Sequence, residues 1–358
     1  MNPKLGVVGA GAGAAAATYV VDRAPSDIAV TIFEKSRGVC GRAAARRRNG
    51  IVYDYGANYL KDPGGRIRTL FTNALSDGLV EIEGPIWTFD ADGTISEASE
   101  QDERRWTYTD GITRLAKHLL SRTEAAVRRE TRITDLHHED GWVLSDAGGG
   151  EHGPFDALLV NPPAPQTATL LQETGVAAAD RLGQAAAEVS YQTVWTAILG
   201  YEFELDVPYY ALANADGAHP ISWIGREECK PGHVPEGKSV LIVQAHPEWS
   251  SERYDAPPDD NLSVLAEATA DLIGDPRLAD PAWTDHQGWK YALVENGVRD
   301  DVLAPAAASG LHVTGDWVAG KARLHAAVRN GLETGEALRA FVRNDAFSGD
   351  APNARGPG

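Results

Sequence analysis

A short glycine-rich turn near the start of the chain, Gly9-Ala10-Gly11-Ala12-Gly13-Ala14, constrains the fold more than any other feature. It follows an apolar stretch typical of a buried parallel strand and opens a run of small residues typical of a helix packed on a sheet. Gly9 permits a tight turn, Gly11 lets the backbone approach a pyrophosphate, and Ala14 allows close helix–strand packing. The helix N-terminus adds N–H donors and partial positive charge. The pattern therefore predicts a dinucleotide-binding βαβ unit.

An acidic residue extends this pattern at the end of the next predicted strand, Ile28–Lys35. Glu34 lies twenty residues after Ala14, where its carboxylate can accept hydrogen bonds from ribose hydroxyls. The alternative interpretation is a glycine- and alanine-rich helix that only packs against a sheet. Because NAD and FAD both contain adenosine, Glu34 does not distinguish between them.

A basic segment, Glu34–Arg48, follows in a chain that has 33 basic and 51 acidic residues and a formal net charge of −18. The acidic balance repels polyphosphates and argues against general nucleic-acid binding. Gly38–Arg42 directly follows the predicted strand, where the pyrophosphate of an extended FAD would run, and Asn49-Gly50 predicts a hairpin turn. We interpret the segment as a cofactor loop and the first strand of a hairpin. Arg46–Arg48 alternate between two faces, so surface ion pairs are expected for most of them, with contact to substrate phosphates as the alternative.

The composition is that of a globular chain of 358 residues, long enough for about two domains. Because it has no apolar run of about 18 residues and no signal-peptide pattern, we expect a cytoplasmic protein without a membrane span. The two cysteines, Cys40 and Cys229, have neither disulfide nor zinc spacing, so no metal is expected. The acidic excess with only eight lysines leaves two interpretations, a halophilic host or a merely acidic protein.

The remaining patterns predict an α/β fold with a Rossmann-like domain and an antiparallel-sheet-plus-helices substrate domain. That the first domain binds FAD and is discontinuous is implied by the family resemblance described in the next paragraph. The FAD-binding domain is expected to comprise residues 1–82, 106–165 and 290–345. Aromatic strands and a helix place residues 83–105 and 166–289 in the substrate domain. The Gly/Pro-rich tail, residues 346–358, is expected to be disordered.

Several segments resemble one family. Glu34–Leu60, with its loop, hairpin, acidic residue, Gly-Ala and amide–Tyr pair, resembles the renalase and renalase-like flavoproteins of the flavin-dependent amine-oxidase superfamily. Four further segments, spread over nearly the whole chain, fit the same family: Phe155–Gln166, Val243–Ser250, Gly288–Leu293 and Gly315–Leu338. The resemblance implies FAD as the cofactor. It also implies non-covalent binding, because superfamily members with covalent flavin use a cysteine near the C-terminal end and none follows Cys229.

The resemblance also implies roles for individual residues. Backbone groups are expected to contact the pyrophosphate at Gly9, Gly11 and Gly13, the adenine at Ile133, and the flavin C2 carbonyl at Ala326 and Ala327. Side chains are expected to hold the adenosine ribose at Glu34, the pyrophosphate and flavin edge at Arg42, and the ribityl chain at Asp316. The other expected cofactor contacts are Ala14, Lys35, Asn58, Tyr59 and Gly315.

One residue departs from the family pattern. The family's double glycine is Cys40-Gly41 in this chain. Because cysteine has a Cβ, we expect a negative φ at Cys40. Its role is interpreted either as a small buried residue or as a thiol near the flavin.

The activity that the resemblance implies is oxidation of dihydronicotinamide dinucleotides reduced at ring position 2 or 6. The products would be NAD(P)+ and, with O2, H2O2. Two alternatives stay open: a flavin amine oxidase acting on a small amine, and a flavin-bearing binding or sensor protein without turnover. Either a monomer or a homodimer is compatible with the sequence.

No catalytic side chain is predicted, because the chemistry is expected at the flavin N5. Candidate residues of the substrate pocket, each with core packing or surface exposure as its alternative, are Asn58, Tyr59, His246, Trp289, Tyr291 and Trp317. Lys290 is interpreted as a solvent-facing strand residue or as the lysine that amine oxidases place near N5. His286 and His325 are weaker candidates.

Overall fold

The structure is a computed structural model that describes residues 2–23, 27–97 and 103–348. The strands are β1 (Lys4–Val8), β2 (Ala29–Phe33), β3 (Ala45–Arg48), β4 (Ile51–Asp54), β5 (Leu60–Lys61), β6 (Leu79–Glu81), β7 (Ile86–Phe89), β8 (Ile95–Ser96), β9 (Arg105–Tyr108), β10 (Ala126–Arg128), β11 (Ile133–His138), β12 (Trp142–Asp146), β13 (Glu151–Phe155), β14 (Ala157–Val160), β15 (Tyr191–Tyr201), β16 (Ala211–Asn214), β17 (Ile221–Arg226), β18 (Ser239–Ala245), β19 (Trp283–Val294) and β20 (Leu311–Val313). The α-helices are α1 (Ala12–Val21), α2 (Gly65–Thr69), α3 (Arg114–Leu120), α4 (Ala164–Leu170), α5 (Ala177–Ala187), α6 (Pro247–Glu252), α7 (Pro258–Ile273), α8 (Leu303–Ala308) and α9 (Leu324–Ser348). A π-helical turn, Leu70–Ala74, continues α2, and 3₁₀ turns cover Glu227–Cys229, Pro276–Ala279 and Asp300–Val302.

The chain forms two compact units. The first comprises Met1–Gly41, Ala116–Val189 and Asn296–Gly358, and the second comprises Arg42–Leu115 and Ser190–Glu295. Their bounds differ from those of the predicted domains, most clearly at the β3–β4 hairpin. That hairpin joins the second unit because its apolar side chains pack against strands β15 and β18.

The first unit contains the predicted βαβ arrangement. Its parallel sheet has the order β10-β2-β1-β14-β20, and β1 pairs with both β2 and β14. These strands are short apolar runs, as expected for a sheet that is covered on both faces. A second, antiparallel sheet, β11-β12-β13, contains a hairpin that turns at Asp140-Gly141.

Small residues allow helices α1 and α9 of the first unit to lie against each other. A Cβ at Gly331 would lie 2.2 Å from the carbonyl oxygen of Gly13, and one at Gly335 would lie 2.6 Å from that of Ala17. No real Cβ is found that close to a backbone atom, so the two helices could not approach in this way with larger residues. This contact fixes the long C-terminal helix beside the helix that follows the glycine-rich turn.

The second unit is built on a large mixed sheet with the order β19-β15-β18-β17-β16-β7-β8. Neighbouring strands are antiparallel, except that β7 and β16 are parallel. Helix α7 covers one face, over a core that includes Trp195, Leu199 and Val243. The opposite face carries Ile198, Val240 and Ile242, which pack with the β3–β4 hairpin.

The turn of that hairpin confirms the sequence prediction. Asn49 and Gly50 both have positive φ, 49° and 82°, as a two-residue type I′ turn requires. Arg46, Arg47 and Arg48 form the strand before the turn.

The expected negative φ at Cys40 is wrong, because its φ is 83°. The amide of Cys40 donates to the carbonyl oxygen of Ala10 at 2.8 Å, and Cys40 bridges to Gly11 in the parallel sense. These backbone contacts bring the segment beside the glycine-rich turn and impose the left-handed conformation despite the Cβ. The side chain is buried, which agrees with the interpretation of a small buried residue.

The C-terminal part of the described chain is helical. Helix α9 extends to Ser348, so the first residues of the predicted tail continue the helix, and residues 349–358 lie outside the described part of the chain. Among the helices that the structure describes, no helix combines the length and apolar character needed to cross a membrane.

Candidate active site

The glycine-rich turn of the first unit is shaped as a cradle. Gly9, with a φ of 87°, directly follows β1, and Gly11 caps α1 with no side chain of its own. A Cβ at Gly11 would lie 2.3 Å from the Oδ1 atom of Asn161, so only glycine fits without a shift. The N–H groups of the first helical turn are therefore not capped by the side chain of the cap residue, which suits an anionic ligand.

Glu34 lies next to this turn, as predicted. Its carboxylate accepts hydrogen bonds from the amides of Ala10 and Ser36, both at 2.8 Å. The residue is only 7% exposed, so these two amides fix its orientation. An ionised carboxylate has about four acceptor positions, which leaves capacity for ribose hydroxyls.

Two asparagines that the sequence analysis missed tie the cradle to the far end of the chain. Asn161 donates from Nδ2 to the carbonyl oxygen of Thr314 at 2.8 Å. Asn330 accepts at Oδ1 from the Thr314 hydroxyl at 2.8 Å and from the Gly315 amide at 3.0 Å. Asp316 follows directly and is 8% exposed. The one available signal was the position of Asn161, immediately after an apolar strand and before two prolines.

Other predicted cofactor residues of the first unit have defined local contacts. Lys35 donates to Gln166 at 3.2 Å, and burial, reinforced by Arg132, lowers the pKa of Lys35 despite the nearby Glu34. Ile133 is buried at the start of β11.

The predicted residues near the C-terminal helix are engaged in the packing of the first unit. The amides of Ala326 and Ala327 both donate to the carbonyl oxygen of Arg323, so they take part in the first turn of α9. Trp317 is fully buried, and its indole N–H donates to Pro162 at 3.1 Å. The structure gives Trp317 this packing contact, and its place in the substrate pocket stays a prediction.

In the second unit, the loop Tyr55–Tyr59 crosses one face of the large sheet. Tyr55 stacks on Trp289 of β19, with ring centroids 5.5 Å apart and an angle of 21° between the planes. The indole of Trp289 also donates to the carbonyl oxygen of Tyr55 at 3.2 Å. At the other end of the loop, the ring of Tyr59 lies 6.1 Å from that of Trp223 on β17.

The centre of the loop is held by close backbone contacts. A Cβ at Gly56 would lie 2.0 Å from the carbonyl oxygen of Arg42, so no other residue fits there. Gln244 of β18 donates from Nε2 to the carbonyl oxygen of Gly56 at 3.0 Å. Asn58 donates from Nδ2 to Oε1 of Gln244 at 3.2 Å. The structure therefore brings the predicted residues Asn58, Tyr59 and Trp289 together on one sheet face, with Gln244 as the residue that the sequence analysis missed.

The other predicted residues of the second unit lie in different surroundings. Arg42 donates to the carbonyl oxygens of Tyr291 and Ala292, at 3.0 and 3.1 Å. His246 caps α6, where it accepts from the amide of Glu248. His286 stacks on Trp195 with an angle of 7° between the rings, and Lys290 is exposed. The prediction that Lys290 faces solvent agrees with this exposure.

The arginine run Arg46–Arg48 forms surface contacts within the second unit. Arg46 pairs with Asp285 at 2.8 Å and lies 4.1 Å over the ring of Tyr55. Arg47 pairs with Asp110 at 3.4 Å. For Arg46 and Arg47, the interpretation as surface ion pairs is confirmed.

Directly before the loop, the second unit contains a buried ion cluster, defined here as Asp54, Glu227, Lys230 and His233. The Lys230 ammonium lies 3.1 Å from Asp54 and 2.6 Å from Glu227. His233 contacts Glu227 at 2.8 Å through Nδ1 and the carbonyl oxygen of Tyr108 at 2.9 Å through Nε2. A carbonyl only accepts, so Nε2 carries a hydrogen, and Nδ1 donates to the carboxylate when the imidazole is charged.

The charges of the ion cluster stabilise one another. Burial opposes the charged form of His233, but its hydrogen bond with Glu227 raises the pKa above the usual value. Burial likewise opposes ionisation of Glu227, yet Lys230 and His233 hold its pKa below the usual range. Asp54, Glu227 and His233 are close enough to hold a metal ion. Because Lys230 already supplies a cation to both carboxylates, we interpret this group as an internal ion cluster.

Two family models match the chain. The model for the NAD(P)-binding Rossmann-like domain matches residues 7–74, and the model for flavin containing amine oxidoreductases matches residues 82–338. Because the second match covers more than half of the chain, the protein belongs to the flavin containing amine oxidoreductase family. It is therefore a flavin-dependent oxidoreductase with an α/β fold, as the sequence resemblance predicts.

Individual relatives are more distant. Renalase from Mus musculus is 24% identical over 195 residues, which cover 53% of this chain and 56% of that protein. The chain thus spans about half the length of the curated relative that it matches.

Solved structures of similar fold cover nearly the whole chain. A putative protoporphyrinogen oxidase from Exiguobacterium sp. 255-15 is 14% identical with a TM-score of 0.77, covering 95% of this chain and 99% of that one. Wild-type putrescine oxidase bound to putrescine is 11% identical with a TM-score of 0.72, covering 95% and 99%. At such low identity, these similarities establish the fold alone.

Proposed function

We propose that the protein is a renalase-like, FAD-dependent oxidoreductase that oxidises dihydronicotinamide dinucleotides reduced at ring position 2 or 6. The overall reaction converts the dihydronicotinamide, O2 and a proton into NAD(P)+ and H2O2. The flavin, when bound, supplies the hydride-accepting chemistry, and the chain supplies binding, orientation and electrostatics. The similarity to mouse renalase supports this choice of substrate class.

The cradle of the first unit supports FAD over a shorter flavin. Gly9, Gly11 and Gly13 would offer backbone to the pyrophosphate, and Glu34 would hold the adenosine ribose. These groups fit a dinucleotide because the cap residue Gly11 has no side chain and Glu34 is already oriented by two amides. Asp316 would accept a hydrogen bond from the ribityl chain. The chain has no cysteine after Cys229, which favours non-covalent binding.

The arrangement of the aromatic rings at the loop Tyr55–Tyr59 is the observation that favours a dinucleotide substrate over an amine substrate. Tyr55 and Trp289 are in direct stacking contact, so they cannot act as two facing walls around a small amine. The Arg46 guanidinium lies over Tyr55, and a cationic amine would meet like charge there. A flat, neutral dihydronicotinamide ring that stacks on Trp289 avoids both problems.

Anaerobic bleaching of the flavin tests this proposal. The purified, flavin-loaded protein is mixed separately with borohydride-reduced NAD+, which contains the ring isomers, with enzymatically prepared NADH, and with putrescine. We expect rapid loss of the oxidised flavin absorbance with the isomer mixture, much slower loss with NADH, and none with putrescine. Release of FAD on acid precipitation, identified by chromatography, checks the cofactor and its non-covalent binding.

Three results would each contradict part of the proposal. Bleaching by putrescine and not by the isomer mixture would establish the amine-oxidase alternative. Flavin that remains attached to the precipitated protein would contradict non-covalent binding. A flavin that no donor reduces, in a protein that retains its native fold, would favour the binding or sensor alternative.

A further inference from the structure

Three residues of the second unit form a polar row across the sheet face beneath the loop Tyr55–Tyr59. Thr196 on β15 and Trp223 on β17 are both register partners of Gln244 on β18. Residues directly opposite each other on antiparallel strands point to the same side of the sheet. Their side chains therefore share the face that the loop crosses. We call Thr196, Gln244 and Trp223 the polar row.

A β-bulge in β17 directs Trp223 to this face. Ile221 pairs with Ala245 and Trp223 pairs with Gln244, so Ser222 is an extra residue without its own partner position. Ile221 and Ile224 both lie in the core on the α7 side, although they are three residues apart. Without the bulge, strict alternation would place only one of these two isoleucines in that core. The bulge thus turns Trp223 away from the core, as bulges near binding sites commonly do.

The backbone determines which way the amides of Gln244 and Asn58 point. The carbonyl oxygen of Gly56 can only accept, so the amide nitrogen of Gln244 must face it. The oxygen of Gln244 then faces Asn58, which must present its own nitrogen. The Oδ1 atom of Asn58 therefore does not face Gln244. This assignment follows from hydrogen-bond chemistry and leaves no freedom to flip either amide.

Three buried polar atoms of the polar row and Asn58 lack partners. Asn58 Oδ1, Thr196 Oγ1 and Trp223 Nε1 are inaccessible to solvent and have no hydrogen-bond partner among residues 2–23, 27–97 and 103–348. Buried polar groups are almost always paired, and leaving them unpaired destabilises a protein. All three belong to, or contact, the same row of residues. Their grouping indicates a binding subsite.

We infer that the polar row and Asn58 form a subsite for an uncharged carboxamide, an inference that rests on the proposed function because nicotinamide carries such a group. A carboxamide presents an N–H donor and a carbonyl acceptor side by side. Asn58 Oδ1 accepts from the ligand N–H, and Trp223 Nε1 donates to the ligand carbonyl. The Thr196 hydroxyl can serve as either donor or acceptor.

The donor and acceptor pattern excludes two other common groups. A carboxylate has no N–H for Asn58 and brings a charge into a buried position. An ammonium group has no acceptor for Trp223. The subsite therefore selects for a carboxamide independently of how the dihydronicotinamide ring stacks.

Calorimetric titration of the flavin-loaded protein with two small probes tests the inference. Benzamide carries the carboxamide, whereas acetophenone has the same ring and carbonyl but a methyl group in place of the NH2. We expect benzamide to bind about tenfold more tightly, because acetophenone leaves Asn58 Oδ1 unpaired. Asn58→Leu should abolish this preference, and Trp223→Phe should weaken both probes about equally while keeping the preference.

Asn214→Leu is the matched control. Asn214 also has a buried Oδ1 without a partner among the described residues, but it lies on β16, outside the polar row. The preference for benzamide should persist in Asn214→Leu. If Asn58→Leu fails to fold, Trp223→Phe provides the second variant. A parent protein without preference, or a preference that survives in Asn58→Leu, would overturn the inference.

The result is separable from the test of the proposed function. If the isomer mixture bleaches the flavin but benzamide shows no preference, the proposed function stands and the subsite is wrong. If benzamide shows the expected pattern but only putrescine bleaches the flavin, the subsite stands as a carboxamide site and the proposed function is wrong.

Discussion

The second unit contains two groups of buried polar atoms: the ion cluster, which includes Asp54, and the polar row together with Asn58. Although Asp54 and Asn58 are only four residues apart, the two groups differ in whether their polar atoms have partners. In the ion cluster, each charged group lies within ion-pair distance of an opposite charge, and Asp54 also accepts from Thr107 and from the amide of Ile112, both at 2.8 Å. In the polar row and Asn58, one oxygen, one hydroxyl and one indole N–H have no partner among the described residues.

This difference separates a structural role from a binding role. A paired buried charge contributes little net stability, but removing one partner leaves the other buried and unpaired. An unpaired buried atom already destabilises the free protein, so its removal should cost no stability but should weaken ligand binding. The ion cluster is thus expected to hold the end of β4 and the start of the loop, and the polar row to receive the ligand.

Lys230→Met should produce the largest effect, because it removes the cation shared by Asp54 and Glu227. We expect a loss of about 3–5 kcal/mol in the free energy of unfolding, measured by urea denaturation. Lys238→Met is the control, since Lys238 forms an exposed ion pair with Glu202 in the same unit. Its expected cost is about 0–1 kcal/mol. Equal losses in the two variants would contradict the structural role of the cluster.

A pair of Thr→Val substitutions sharpens the comparison at constant size and burial, since Thr107 and Thr196 are both fully buried. Thr107→Val deletes a hydrogen bond to the Asp54 carboxylate and should cost about 1.5–3 kcal/mol. Thr196→Val deletes a hydroxyl without a partner among the described residues and should change stability by less than about 0.5 kcal/mol or increase it. Thermal and urea unfolding would measure both changes. A larger loss of stability in Thr196→Val than in Thr107→Val would contradict the distinction between the structural ion cluster and the binding role of the polar row.

The pH dependence of stability offers a subtler test. The pKa of His233 is raised in the folded state. Its contribution to the free energy of unfolding is therefore complete below the pKa of the unfolded state and is lost as the pH rises through the pKa of the folded state. The free energy of unfolding should therefore fall on the alkaline side of the ordinary histidine pKa of about 6.5. Urea midpoints across this range should show the decline in the parent and a flatter curve in His233→Gln. If the urea midpoints of both proteins fall equally with pH, His233 is not the source of this pH dependence.

Features set by neighbouring residues could be predicted from the sequence. The Asn49-Gly50 turn, the glycine-rich turn after β1 and the position of Glu34 each depend on a few adjacent residues and on strand–helix order. Asn58 and Tyr59 were predicted from the family resemblance and Trp289 as a candidate for the substrate pocket, and the structure brings all three to one face. The backbone conformation of Cys40 was predicted wrongly because contacts with Ala10 and Gly11, about thirty residues away, impose it.

Features set by the register of distant strands could not be predicted. Gln244 reaches Gly56 across 188 positions of the chain, and its neighbours Thr196 and Trp223 depend on two strand pairings. The bulge at Ser222 has no local signature in the sequence, yet it decides which face Trp223 occupies. The ion cluster likewise joins residues from β4 and from the segment that follows β17, and nothing in the local pattern marks Lys230 or His233 as buried.

The most direct test of the account is the dependence of anaerobic flavin reduction on the concentration of the dihydronicotinamide isomer mixture in Thr107→Val and Thr196→Val. We expect Thr107→Val, although less stable, to keep the half-saturating concentration of the parent. We expect Thr196→Val, although equally stable, to raise that concentration several-fold, about the effect of one lost hydrogen bond. An increase of the same size in both variants, or in Thr107→Val alone, would contradict the binding role of the polar row.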